Sequence, residues 1–178
     1  LRKTVQVKLN LELAINPLMV DIACRTAPDQ VTLVPENREE VTTEGGLDVV
    51  RHKKELAATI GKLQDAGIVV SLFIDPDPVQ IETAASLSVP AVELHTGAYA
   101  NAGKNTHKEL HLLAQAATFV HQAGLILNAG HGLTYRNVTP IAQLEGMEEL
   151  NIGHSVVARA VFVGMTEAVR EMKELIGR

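Results

Sequence analysis

Short, almost wholly apolar runs alternate with stretches of helical periodicity along the chain, and no other feature restricts its fold as much. Val31 to Val34, Ile68 to Ile74, Ala91 to Leu94 and Leu125 to Asn128 read as strands, and another strand ends at Ile152. Val5 to Leu13 mixes β-branched and apolar residues, with Glu12 near its end. Between these runs, Leu56, Ile60 and Leu63 fall at i, i+4 and i+7 ahead of Gly67, and Leu110, Leu113, Ala117 and Val120 mark one helix face ahead of Gly124. Asn16-Pro17 is a helix-start signal, and Leu18, Ile22 and Cys24 are expected on the inner side of a short helix ending near Arg25. Val79 to Leu87, Asn137 to Gln143 and Ser155 to Val163 predict further helices. Thr166 is expected to cap a last one with Val169, Met172 and Ile176 inward. Leu1 to Thr4 reads as the tail of a helix.

Strands that alternate with helices demand an α/β fold with a parallel sheet and the helices outside it. About six β/α units are two short of a closed (β/α)₈ TIM barrel. The expectation is one barrel domain over residues 1–178 whose first two units lie ahead of Leu1.

Polar residues gather where these strands end: Glu12, Glu36, Asp75, Glu93, His95, Asn128, His131, Asn151 and His154. In a parallel barrel that rim holds the active site. A charged residue in a strand enclosed by helices must face a site, a partner or water, which makes Glu93 informative. Asn128-Ala129-Gly130-His131-Gly132 places a histidine between two glycines, and Asn151-Ile152-Gly153-His154 repeats the device one strand later. Tight turns alone also call for glycine, but the repetition favours one shared site. Glycine at the start of a helix after the final strand suits a phosphate, which helix N–H groups and the helix dipole attract. Thr42, Thr43, Gly45 and Gly46, in the polar stretch from Asn37 to Asp48, offer the hydroxyls and hinges of a segment covering a phosphate. His107 and His111 stand at i, i+4 but have no neighbouring cysteine and no H-E-x-x-H glutamate, so they are read as surface residues and no metal site is expected.

A formal net charge of −5 and 3% aromatic residues argue against a nucleic-acid partner. No apolar run nears the roughly 20 residues that span a bilayer, and no secretory leader is visible. Cys24, the only cysteine, cannot form an intramolecular disulfide, which suits a reducing cytoplasm. No nicotinamide fingerprint or P-loop points to a cofactor.

Taken in order, Asn10-Leu11-Glu12, Val34-Pro35-Glu36, Val41-Thr42-Thr43-Glu44-Gly45-Gly46-Leu47-Asp48, Glu93-Leu94-His95-Thr96-Gly97, the block from Asn128 to Tyr135 and Leu150 to His154 resemble the pyridoxine 5′-phosphate synthase family. The resemblance covers nearly the whole chain. It implies a (β/α)₈ barrel that condenses 3-amino-2-oxopropyl phosphate with 1-deoxy-D-xylulose 5-phosphate, without cofactor, and that assembles as a homo-oligomer, octameric in the family. Carried over by motif, Glu12 resembles a proton acceptor, His131 the proton donor and Glu93 the group that stabilises transition-state charge. Thr42 resembles a contact to deoxyxylulose phosphate, while Gly132, Gly153 and His154 resemble the aminooxopropyl phosphate site. The family's N-x-D-H strand motif and H-x-R pair have no counterpart here, which leaves as the alternative a catalytically incomplete barrel fragment that only binds phosphorylated ligands or assembles with partners. A barrel aldolase or isomerase would need a lysine at a strand end or a metal cluster, and Lys8 lies several residues short of one.

Overall fold

The computed structural model describes residues 1–36 and 45–177. Strands β1 (Asn10–Ala14), β2 (Gln30–Val34), β3 (Val69–Ile74), β4 (Ala91–His95), β5 (Ile126–Gly130) and β6 (Met147–Asn151) form one sheet in sequence order, and every neighbouring pair is parallel. Among the described residues the helices are α1 (Pro17–Thr26), α2 (Lys53–Asp65), α3 (Pro78–Ser86), α4 (Gly97–Asn101), α5 (Thr106–Gln122), α6 (Val138–Ala142), α7 (His154–Val163) and α8 (Met165–Ile176). A turn of 3₁₀ helix, Gly103–Asn105, precedes α5. The α/β architecture and parallel sheet match the sequence expectation. The sheet is six-stranded, a half-barrel with two open edges.

Alternation along the strands separates two environments. Leu13, Leu33, Leu72, Val92 and Leu127 share a row across five strands, and all are buried beneath the helices. Leu56, Ile60 and Leu63 of α2 are all at most 2% exposed and pack into the same core. Leu56→Ala is expected to cost about 2–5 kcal/mol, read as the midpoint shift in urea unfolding. The opposite face is polar, carrying Asn10, Thr32, Ser71, Glu93 and Asn128. Asn10 and Thr32 hydrogen-bond across β1 and β2. Lys8, just ahead of β1, pairs with Glu149 on β6. The first and last strands therefore face one interior although they are not neighbours in the sheet.

Four local expectations change. Leu1 to Thr4 is a turn rather than a helix tail, closed by the N–H groups of Thr4 and Val5 donating to Leu1 O. Leu18 is 64% exposed, and Val20 and Ala23 turn α1 inward instead. Gly164, not Thr166, occupies the N-cap of α8. Val169 is 41% exposed, while Ala168 and Met172, at i and i+4, form the buried stripe.

Candidate active site

The strand register sets Glu93 beside Phe73 on one flank and Asn128 on the other, all directed to the polar face. Glu93 is 3% exposed, and Asn151 Nδ2 donates to its Oε2 at 2.7 Å. Gly130 makes room for the carboxylate: a Cβ there would lie 2.2 Å from Glu93 Oε1 and 3.0 Å from the Asn151 carbonyl oxygen. The Asn151 amide thus fixes where this buried carboxyl group sits and how it is turned.

His131 leaves β5 with φ 77°, a left-handed conformation that costs a non-glycine residue about 1–2 kcal/mol. Neighbouring groups hold it there. The Thr96 hydroxyl, fully buried, lies 2.5 Å from the His131 carbonyl oxygen and 2.8 Å from that of Gly130. Thr96 N–H also donates to Gly130 O. Asn137 Nδ2 donates to Gly132 O, and Ser155 Oγ to Leu133 O, tying α7 to the same turn. Strain maintained by so many surrounding bonds is a mark of functional sites.

Glu12, Glu93, His131, Asn151, Gly153 and His154 line one cavity of about 390 Å³, together with Val34, Phe73 and Ile152. Residues from β1, β4, β5 and β6 thus converge although up to 142 positions separate them in the chain, from Glu12 to His154. Gly153 stands at the N-cap of α7 with no side-chain cap, and nothing lies within 4 Å of where its Cβ would be, so an anion can approach the first-turn N–H groups. Gly132 does not line the cavity; it sits behind His131 with Ala100 against it. Thr42 and Thr43 fall outside the described residues. Glu36 borders a neighbouring cavity of about 350 Å³ with Gly46, Asp48 and His52, and it accepts a hydrogen bond from Asn16. His107 and His111 are both exposed, and among the described residues no group of three or more His, Cys, Asp or Glu is arranged to hold a metal ion.

A model of the pyridoxal phosphate biosynthesis protein PdxJ matches residues 1–178. The chain belongs to the PdxJ family. Pyridoxine 5′-phosphate synthases of Synechococcus sp. (strain JA-2-3B'a(2-13)) and Thermosynechococcus vestitus are 55% and 57% identical to it, each over 99% of this chain and 75% of the relative. That of Rhodopirellula baltica is 56% identical over 98% of this chain and 71% of its own length. Among solved structures, the native KDPGal structure superposes with a TM-score of 0.61 at 13% identity, covering 97% of this chain and 72% of that one. A xylose isomerase domain protein from Planctomyces limnophilus gives 0.56 at 12%, covering 94% and 71%. These two likenesses show the fold alone. Membership of PdxJ places the chain among enzymes of vitamin B6 biosynthesis.

The inward turn of Phe73 and the partners of Asp75 escaped sequence reading in this PdxJ chain. Phe73 forms a wall of the cavity, and only the strand register reveals that it points inward. Asp75, at the exit of β3, accepts a hydrogen bond from the backbone N–H of Gly46 at 2.8 Å and lies 3.0 Å from His95 Nδ1. The bond from His95 is the main reason its carboxyl is held below the ordinary carboxylate range; the Gly46 N–H helps and partial burial opposes. A depressed carboxylate stabilises the fold fully above its unfolded pKa, near 3.9, and loses that contribution as the pH falls through the folded value. Asp75→Asn is therefore expected to lower stability at neutral pH and to flatten its decline below about pH 4, measured by urea unfolding at pH 7 and pH 3. No helix among the described residues is long and apolar enough to cross a membrane.

Proposed function

We propose that this chain carries the acid–base centre of a pyridoxine 5′-phosphate synthase, condensing 3-amino-2-oxopropyl phosphate with 1-deoxy-D-xylulose 5-phosphate to pyridoxine 5′-phosphate with release of phosphate and water. The observation that carries this reading is the single cavity lined by Glu12, Glu93, His131, Gly153 and His154. The amine of one substrate adds to the ketone of the other, and dehydration and aromatisation follow. Each step moves a proton off carbon or nitrogen, or onto a departing oxygen, which positioned acids and bases accelerate. Glu12, exposed midway along β1, accepts protons. His131 delivers one to a leaving oxygen. Glu93, fixed by Asn151, faces the positive charge that develops as the carbon–nitrogen bond forms.

The phosphate of the aminooxopropyl substrate is assigned to the α7 N-terminus, with Gly153 giving access, His154 adding a ring donor and Gly132 contributing from the adjoining turn. Thr42 is assigned to deoxyxylulose phosphate on the motif alone. A closed (β/α)₈ barrel belongs to the same reading, with two further β/α units filling the space between β6 and β1. Val161 and Phe162 of α7 are 79% and 83% exposed, apolar surface that further packing would cover. The working form is proposed to be a cytoplasmic homo-oligomer, as the family resemblance implies.

Titrating ¹⁵N-labelled protein with 3-amino-2-oxopropyl phosphate, or with inorganic phosphate as its minimal mimic, tests the assignment. Amide shifts should concentrate at Gly132, Gly153 and His154. Saturable shifts confined to another region would contradict it.

A further inference from the structure

His95 lies at the end of β4, 4% exposed, where the proposed chemistry gives it no task. Its Nδ1 is 3.0 Å from Asp75 Oδ1, and its Nε2 is buried with no hydrogen-bond partner among the described residues. The His95 and His131 rings lie 4.9 Å apart between centroids, inclined at 60°, and Phe73 packs edge-on against His95 at 5.1 Å. Both histidines close over Gly97. A Cβ on Gly97 would fall 2.6 Å from His95 Nε2 and 3.2 Å from His131 Cδ2, so glycine is what lets the rings approach.

Of the two ring nitrogens of His95, only Nδ1 has a hydrogen-bond partner among the described residues. With Nδ1 directed to Asp75, Nε2 is the ring nitrogen left on the side of Gly97 and His131. We propose that Asp75 and His95 form a positioning pair for His131: the carboxylate fixes the His95 tautomer, and the bare Nε2 beside the His131 ring favours its protonated form. A group that must hold a proton until a leaving oxygen takes it benefits from such a neighbour. Other groups also act on His131: Glu93 from β4, Glu12 from β1 and His154 from α7 all border the same cavity. The Asp75–His95 pair differs in not lining that cavity. Gly46 N–H on Asp75 Oδ1 further fixes the carboxylate.

The inference rests on His131 as proton donor, but it can be tested without turnover. Histidine-selective ¹⁵N and ¹³C NMR would follow the His131 titration midpoint in the unaltered protein, in Asp75→Asn, in His95→Gln and in the double variant. Removing the negative charge should lower the midpoint, by about half a pH unit or more for one charge acting through one ring. In Asp75→Asn the His95 nitrogens should also lose the pattern of a proton fixed on Nδ1. The double variant should titrate like His95→Gln alone, because the effect passes through that ring. An unmoved midpoint in Asp75→Asn would overturn the proposal, and so would a double-variant shift equal to the sum of the single shifts. Should His95→Gln fail to fold, Asp75→Asn decides alone, since its carboxylate is half exposed and its replacement nearly isosteric. Failure of the His131 proton-donor reading would appear instead as undiminished turnover in His131→Asn, a separate result.

Discussion

His131→Asn is expected to lower turnover by roughly 10²- to 10⁴-fold while leaving phosphate affinity nearly unchanged. Asparagine keeps a polar side chain of similar reach but cannot exchange a proton near neutrality. It also tolerates positive φ better than most residues, so the 77° backbone angle need not relax and Thr96 can keep its hold on the turn. Phosphate binding should persist because it is assigned to backbone N–H groups at the start of α7 rather than to this ring. Rates corrected for folded fraction, with a parallel phosphate titration, provide the check. If the ring merely packs against His95 and Phe73, the variant loses stability and keeps its activity per folded molecule.

Gly130→Ala should have an effect of comparable size through a methyl group that never meets substrate. The added Cβ would sit 2.2 Å from Glu93 Oε1 and 3.0 Å from a backbone oxygen of Asn151, so the carboxylate has to leave the position in which Asn151 holds it. Misplacing one preorganised charge costs on the order of 10²–10³ in turnover. Overpacking costs about 1–3 kcal/mol in stability, which urea unfolding would register. A folded Gly130→Ala protein with near-normal turnover would mean that Glu93 is not held where the chemistry needs it.

The four inner strands were legible because their runs are short, mostly apolar and bounded by turn residues, and the larger helices because Leu56, Ile60 and Leu63, or Leu113, Ala117 and Val120, repeat at helical spacing. What escaped depended on small residues or on distant pairing. Ala168 and Ala23 turn inward because a short side chain lets a helix sit close to its neighbour, whereas counting apolar bulk favours Val169 and Leu18. The sequence placed Glu12, Glu93, His131 and His154 at strand ends; Glu12 and Glu93 stand midway along β1 and β4 and His131 and His154 just beyond β5 and β6, and one cavity brings the four together. The links that orient these groups, Asn151 to Glu93, Thr96 to His131 and Asp75 to His95, span 58, 35 and 20 positions and depend on strand register and loop conformation, which a linear pattern does not encode.

In the proposed reaction this cavity joins two phosphorylated substrates into a pyridine ring. The most direct measurement is product formation by the protein carrying this chain, supplied with 3-amino-2-oxopropyl phosphate and 1-deoxy-D-xylulose 5-phosphate together and each alone, with pyridoxine 5′-phosphate quantified by mass. The account predicts product only when both are present, with inorganic phosphate released in equal amount and both signals suppressed together in Glu93→Gln. Phosphate release from either substrate alone, or equal product in Glu93→Gln, would contradict it.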